Sequence, residues 1–235
     1  MELIVLGAAP AYTDRAGSAA SSYLLRHGDA AMLLDLGQGA FANLAWTLEP
    51  SSLTAILVSH LHPDHFIDLV PLRHYLKWEF DPPRRVRVLA PAGLADRIDA
   101  LEGHEGFAAE ALDIEALTEG VRRIGPFEVE VRRVSHTNES YAFRVAVAVP
   151  DAASAVAGTG TAAGLVYSGD CSRAEDLIPL IRPGDTLLSE ASFGAGPVVL
   201  GAQHITSGDA ARAASTGRAS ICSTTTSTPF AATAT

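Results

Sequence analysis

The stretch Ser59-His60-Leu61-His62-Pro63-Asp64-His65 constrains this chain more than any other. It places four metal-binding side chains within six residues, directly after the apolar run Leu53-Thr54-Ala55-Ile56-Leu57-Val58. An apolar run bounded in this way predicts a strand buried on both faces, so the histidines are expected at the carboxyl end of a core strand. Imidazole nitrogen and carboxylate oxygen are common ligands of hydrolytic zinc. In an extended loop His60 and His62 point to the same side and can reach one ion. Asp64 and His65, past the turn at Pro63, can face a second ion beside it. Two ions roughly 3.5 to 4 Å apart can activate a water and stabilise a leaving oxygen. A solvated surface loop would have no reason to gather these side chains after a buried strand. His27, His74 and His104 lack such company and are assigned no role.

The rest of the chain reads as strands and helices in alternation. Strands are predicted at Leu3–Leu6, Ser22–Leu25 and Ala31–Asp35, with a Gly/Ala/Ser-rich loop over 7–22 and a hairpin turn at Arg26–Asp29. A helix is expected over Ala40–Leu48. Apolar residues at helical spacing predict another from Phe66 to Phe80, and Arg87–Ala90 and Gly93–Leu101 read as strand and helix. Later strand candidates are Phe127–Val131, Tyr141–Val145, Leu165–Ser168 and Thr186–Leu188. Several of these end in a potential ligand: Asp35, Asp170 after Gly169, and Glu190 after Ser189. Thr206 can cap a helix, with Asp209 completing a capping box.

Composition narrows the function classes. At 235 residues and 48% hydrophobic content the chain can bury a core of one large domain. It has no run of about 18 apolar residues, and Met1–Gly7 lacks the basic and long apolar regions of a secretory signal. The two cysteines make no disulfide framework. A cytoplasmic protein with no membrane partner is therefore expected. The net charge of −10 opposes non-specific binding to nucleic acid, although bound cations could make one cleft locally positive.

His60, His62, Asp64 and His65 match in full the HxHxDH signature of the metallo-β-lactamase-fold hydrolases, which the chain resembles. Leu34–Gly39, Val134-Ser135-His136, Tyr167–Asp170, Leu188–Ala191 and Gln203–Thr206 look like further landmarks of that family, in its order. The resemblance implies an α+β fold, a four-layer αβ/βα sandwich. It implies that His60, His62 and His136 hold one metal, that Asp64 and His65 hold the other, and that Asp170 bridges them. The attacking species would be metal-bound hydroxide, which Asp64 could also orient, with Asp35 supporting the ligand loop from behind. Zinc is the expected metal, as one or two ions, and manganese or iron(II) also suit the ligands. Glu190 and His204 look like the proton relay of the ribonuclease Z-like branch and its small phosphodiesterase relatives, serving the leaving oxygen.

The expected function is thus hydrolysis of a small or short phosphodiester, with lactone or thioester hydrolysis as the alternative within the fold. A homodimer is compatible with this. Transfer RNA is disfavoured: the branch members that process it carry a long arm between the third histidine and the bridging aspartate. Here that interval holds only the short Ala/Gly-rich link Asp151–Gly164. The family's last ligand histidine also has no counterpart after His204, so a catalytically impaired metal-binding protein is a further alternative. The domain is expected over residues 1–219, with 220–235 a low-complexity tail and the last regular strand and helix lacking. Read one base out, codons for Ile221–Phe230 can encode Leu-Leu-His-His-His-Leu-His-Pro-Phe, which suggests that the tail after about Arg218 is out of frame.

Overall fold

The computed structural model of the chain describes residues 1–148, 162–197, 201 and 203–224. Two six-stranded sheets are built in chain order. The first contains β1 (Glu2–Gly7), β2 (Ser22–His27), β3 (Ala30–Leu34), β4 (Ala55–Leu57), β5 (Val86–Ala90) and β6 (Leu112–Ala116). The second contains β7 (Gly120–Ile124), β8 (Phe127–Arg133), β9 (Tyr141–Val147), β10 (Leu165–Tyr167), β11 (Thr186–Glu190) and β12 (Ser220–Thr224). Each sheet begins antiparallel and ends parallel, the change falling at the β3/β4 pair in the first and at β10/β11 in the second.

The four layers follow from the alternation of side chains along each strand. Tyr23 and Leu25, Met32 and Leu34, and Ala55 and Leu57 face the second sheet, where they meet Phe127, Val129, Phe143, Val145 and Tyr167. Their neighbours Leu24, Leu33 and Ile56 face outward against helices α1 (Ala40–Thr47), α3 (Leu69–Trp78) and α4 (Leu94–Glu102). On the opposite side Ala142, Val166 and Leu187 pack against α5 (Ser207–Gly217) through Ala210, Ala213 and Ala214. Strands covered on both faces need apolar residues at every position, which is why β4 and β10 read as continuous apolar runs.

Some expectations change. The single helix over Phe66–Phe80 is instead two, α2 (Pro63–Phe66) and α3. The loop after β3 enters the break: Leu36 donates to the His65 carbonyl (2.8 Å), Asp68 N donates back to the Leu36 carbonyl, and the Asp68 carboxylate accepts from Phe41 N. Edge strands β6 and β7 were absent from the sequence reading. Their charged residues serve the exposed edges, where Asp113 and Glu115 pair with Arg85 and Arg87. The missing last strand is also a correction. Ser220–Thr224 lie parallel to β11, with Thr186 opposite Ser220 and Glu190 opposite Thr224. This edge strand, whose Ser220, Ile221 and Cys222 are exposed, needs no apolar run, so its low complexity hid it. The link residues 151–161, the tail from 225 onward and any final helix lie outside the described residues. The capping box of α5 forms as read, Thr206 and Asp209 each accepting from the other's backbone N–H. No helix among the described residues is long and apolar enough to cross a membrane.

Strands β9, β10 and β11 are tied at the end opposite the histidines by a buried ion pair. Asp185 accepts from Arg144 Nε (2.7 Å) and Nη2 (2.8 Å), Gly164 N (2.7 Å) and Arg182 N (2.9 Å). Removing one partner of such a pair strands the other charge in the core, which costs about 3–5 kcal/mol. Asp185→Ala is expected to lower the unfolding free energy by that amount in urea denaturation. A loss below about 1 kcal/mol would mean that the pair contributes no more than a surface ion pair.

Candidate metal centre

The carboxyl ends of the inner strands meet at one edge of the sandwich, and this edge collects the ligand-type residues. Asp35 follows β3, Ser59–His65 follow β4, and His136 lies between β8 and β9. Asp170 follows β10, and Glu190 ends β11. A direct backbone bond closes the seam between the sheets, Tyr141 N donating to the Ser59 carbonyl at 2.9 Å. Two glycines permit the close approach. A Cβ on Gly37 would lie 1.9 Å from the Asp64 carbonyl oxygen, and one on Gly169 would lie 2.8 Å from Ser59 Cβ.

Hydrogen bonds set the imidazole tautomers. Asp35 is fully buried and accepts four bonds: Ser59 N (2.6 Å), Ser59 Oγ (2.8 Å), His65 Nδ1 (2.7 Å) and Tyr167 OH (2.6 Å). With its proton given to Asp35, Ser59 Oγ can only accept from His60 Nδ1, 3.1 Å away. His60 therefore presents an unprotonated Nε2. His136 Nδ1 donates to the Gln203 carbonyl at 2.8 Å, which leaves its Nε2 unprotonated as well. Both Nε2 atoms converge on His62 Nδ1, at 3.0 and 3.2 Å.

This donor set fits a divalent ion. Nitrogens bound tetrahedrally at about 2.0–2.1 Å from an ion stand about 3.3 Å apart, close to the separations found here. Among the described residues, two groups of donor atoms lie within 4.8 Å of one another: His60, His62, His136 and Asp170, and then Asp170, Glu190 and His204. Asp170 belongs to both. Its Oδ2 faces His60 Nε2 (3.7 Å), His136 Nε2 (3.6 Å) and His204 Nδ1 (3.8 Å), while Oδ1 faces His65 Nε2 (3.3 Å). Asp64 approaches His65 Nε2 at 3.7 Å and makes no hydrogen bond through its carboxylate among the described residues. The candidate ligands and relay residues singled out in the sequence are thus brought to one place, with Asp64 partly exposed and His65 buried.

The charges are set by burial and by neighbours. Burial, reinforced by the neighbouring His65, holds the His60 pKa well below the usual imidazole range, and burial with His136 lowers that of His62. Burial would also lower His65, but Asp35 and Asp170 override it and raise its pKa well above the usual range. Burial disfavours the Asp170 carboxylate, yet His65 and His60 hold its pKa well below the ordinary value. Glu190 receives Cys171 N (2.6 Å), Ser192 Oγ (2.7 Å) and His204 Nδ1 (3.0 Å). That last bond outweighs burial and raises the His204 pKa. A cavity of about 340 Å³ opens over these groups, lined by His62, Asp64, Asp170, Glu190 and His204, with Tyr12 of the loop after β1 on its wall.

Sequence reasoning missed Ser59 Oγ, Tyr167 OH and the Gln203 carbonyl, which orient the ligands without being ligand types themselves. Only Tyr167, a phenol ending a buried strand three residues before Asp170, left a signal. His27, His74 and His104 stay apart from the centre; the His74 ring packs on Phe107 instead. Asp35→Asn keeps the shape of Asp35 but removes the charge facing His65. It is expected to weaken divalent-metal affinity about 10- to 100-fold in competition with a chromogenic chelator. An unchanged affinity would make Asp35 a folding residue only.

Residues 32–222 match the beta-lactamase superfamily domain. The probable metallo-hydrolase YhfI of Bacillus subtilis is 26% identical over 91% of this chain and 82% of its own length. The crystal structure of that metallo-β-lactamase fold protein superposes with a TM-score of 0.76, covering 94% of this chain and 84% of YhfI at 23% identity. The short form of human tRNase Z shares the fold at a TM-score of 0.72 and 22% identity, covering 95% and 96% of the two chains. A diphosphatase of the PhnP family does so at 0.68 and 16%, covering 94% and 87%. With a cluster of potential metal ligands assembled at the sheet edge, the chain belongs to the beta-lactamase superfamily, has the metallo-β-lactamase fold and is a metal-dependent hydrolase.

Proposed function

We propose that the chain hydrolyses phosphodiester bonds of small molecules or short phosphodiesters, in the cytoplasm, with zinc as the metal and manganese or iron(II) as substitutes. The observation that carries this reading is the hydrogen-bonded pair Glu190–His204 placed against Asp170 in the same cavity as the imidazole cluster. An ion held by His60, His62, His136 and Asp170 would supply Lewis acidity toward a phosphoryl oxygen and lower the pKa of a water. His65 and Asp64 are proposed to hold a second ion, with Asp170 shared between the two.

The chain's own residues manage the protons. Asp64, whose carboxylate makes no hydrogen bond among the described residues, is proposed to accept a proton from the attacking water. His204 spends Nδ1 on Glu190, so Nε2 is the nitrogen left to protonate the leaving alkoxide. Water and phosphodiester then give phosphomonoester and alcohol with the protons balanced. Glu190 keeps His204 protonated to higher pH by favouring the charged form. The likenesses to a tRNase Z and a diphosphatase agree with phosphoryl chemistry, while the charge of −10 and the short interval between His136 and Asp170 speak against transfer RNA.

Turnover of bis(p-nitrophenyl) phosphate above that of a lactone and thioester panel is the expected outcome, and the reverse order would replace the phosphodiesterase reading. His204→Ala is expected to lower kcat by about 10²- to 10⁴-fold for a diester with an alkyl alcohol leaving group, and far less for p-nitrophenolate, which leaves unaided. Equal losses on both would remove His204 as the acid. Because the His204 pKa is raised, activity should persist up to that pKa and fall above it. In Glu190→Gln the alkaline limb of the kcat profile should move to lower pH.

A second reading, an impaired metal-binding protein, is favoured by the absence of any histidine after His204. The last pair of β12 sets Thr224 opposite Glu190. If this reading holds, the chain as written binds nearer one ion than two by elemental analysis, and a chain restored to the alternative frame after Arg218 binds two. Two tightly held ions in both would sink it.

A further inference from the structure

The cavity over the imidazole cluster has two unlike walls. One carries its charge and its metal-binding atoms, on His62, Asp64, His65, Asp170, Glu190 and His204. The other is the loop after β1, where Ala8, Ala9, Pro10, Ala11 and Tyr12 bring no group that is charged at neutral pH. Tyr12 stands out on that wall. Its side chain is 70% exposed, and among the described residues it is the one large exposed apolar side chain that lines this cavity; Val5, Trp46 and Trp78 lie elsewhere. The other four tyrosines each meet an aromatic ring or a guanidinium. Tyr12 makes no hydrogen bond or ring contact among the described residues. The loop that carries it is nevertheless anchored. Gln38 holds it from two sides, its carbonyl accepting from Ala20 N (2.9 Å) and its Nε2 donating to the Ala11 carbonyl (2.8 Å), next to Tyr12. Ala9 N donates to the Ala19 carbonyl at 2.8 Å and closes the base of the loop. Gly7 permits that closure, since a Cβ there would lie 2.0 Å from the Ala20 carbonyl oxygen. Gln38 belongs to the 36–39 loop that bonds to His65, so the Tyr12 wall and the ligand loop share one support.

A phenol ring gains stability when its faces are covered, and the faces of Tyr12 are left to the cavity and the solvent. An aromatic face stacks on any flat π system and needs no charge to do so, which suits a wall made otherwise of small neutral residues. We infer that Tyr12 is a stacking platform for a flat aromatic arm of the substrate, carried on a diester whose phosphate lies at the metal centre. This inference rests on the phosphodiesterase reading for its substrate. A nucleobase is the flat aromatic group that phosphodiesters ordinarily carry, so nucleotide diesters are preferred over diesters with alkyl or bare sugar arms. Ser21 lines the same cavity, and its hydroxyl makes no hydrogen bond among the described residues, which leaves it free to meet the polar edge of a base.

The test compares a deoxyadenosine dinucleotide, joined by a single phosphodiester, with analogues in which one or both adenines are replaced by hydrogen. Each is assayed with the zinc-loaded wild type, Tyr12→Ala and Tyr12→Phe, and equal metal content and thermal midpoint in the three proteins check that the centre is intact. A base-bearing diester is expected to show a wild-type KM about 5- to 100-fold below that of the fully abasic one. The gain should fall on KM rather than kcat, as for binding made equally in ground and transition states. Tyr12→Ala should erase it, and Tyr12→Phe should keep it. A phenyl ring in place of the base should retain most of it as well. No gain in the wild type, a gain that survives Tyr12→Ala, or one lost with phenyl overturns the platform. Calorimetry with deoxyadenosine 5′-monophosphate and with deoxyribose 5-phosphate, neither of which contains a diester bond, separates this from failure of the enzymatic reading. Tighter binding of the nucleotide that vanishes in Tyr12→Ala, with no diester turned over, keeps the platform and removes the phosphodiesterase. Equal binding of the two ligands by the wild type removes the platform whatever the turnover.

Discussion

The Asp35 carboxylate is the interaction on which the site depends. It accepts from the Ser59 backbone and hydroxyl, from His65 and from Tyr167, and so joins the ends of β3, β4 and β10 across both sheets. A buried carboxylate is costly unless its lone pairs are filled, and four donors fill them here. The residue also holds a positive φ of 58°, a backbone state that a non-glycine residue adopts only under constraint. That turn takes the chain out of β3 and into the 36–39 loop, which then bonds back to His65 and Asp68. Through Ser59 the same carboxylate decides which nitrogen of His60 carries a proton, and it does so directly for His65. The orientation of two imidazoles at the centre therefore follows from a residue outside both donor groups.

Topology explains why a site of dispersed residues can be this compact. Both sheets follow chain order and change from antiparallel to parallel pairing, so strands β4, β10 and β11 deliver their following residues to one edge. A parallel strand spends its interior on packing, and chemistry is left to the loop at its carboxyl end. The loops after β4 and β10, together with the β8–β9 connection, supply the first donor group. The end of β11 and the cap of α5 supply Glu190 and His204. At the opposite end Arg144 and Asp185 hold β9, β10 and β11 in register, which keeps the Asp170 and Glu190 ends level.

Much of this was legible in the chain because burial writes a strong pattern. The apolar run before Ser59 and the dense cluster after it specified both a core strand and the ligand loop, and Thr206 with Asp209 marked the start of α5. What was hidden lay where one face meets water or where tertiary bonds override local preference. β6 alternates charged with apolar residues, β7 is Gly-Val-Arg-Arg-Ile, β12 is built of serine, cysteine and threonine with one isoleucine, and each lies at a sheet edge. The helix expected over Phe66–Phe80 had the right period, but the loop after β3 breaks it by taking bonds from Asp68 and giving one to His65. Ser59, Tyr167 and the Gln203 carbonyl are ordinary in sequence, and their roles arise only when the two sheets close on each other.

The electrostatics of the centre show what a cation changes. His60 and His62 are driven toward the neutral form by burial and by other imidazoles, which is the form that binds metal. His65 goes the other way because it is pinned between Asp35 and Asp170, so without a cation a proton on His65 supplies the positive charge that Asp170 requires. A divalent ion and that proton compete for one place, and metal uptake is therefore coupled to proton release. Glu190 likewise favours the charged form of His204 on the other side of Asp170. The two histidines flanking Asp170 thus differ in their counter-charges. His65 shares Asp170 with Asp35 in the buried interior, whereas His204 faces the cavity from Glu190. Burial on one side and access on the other thus give two residues of the same type different surroundings.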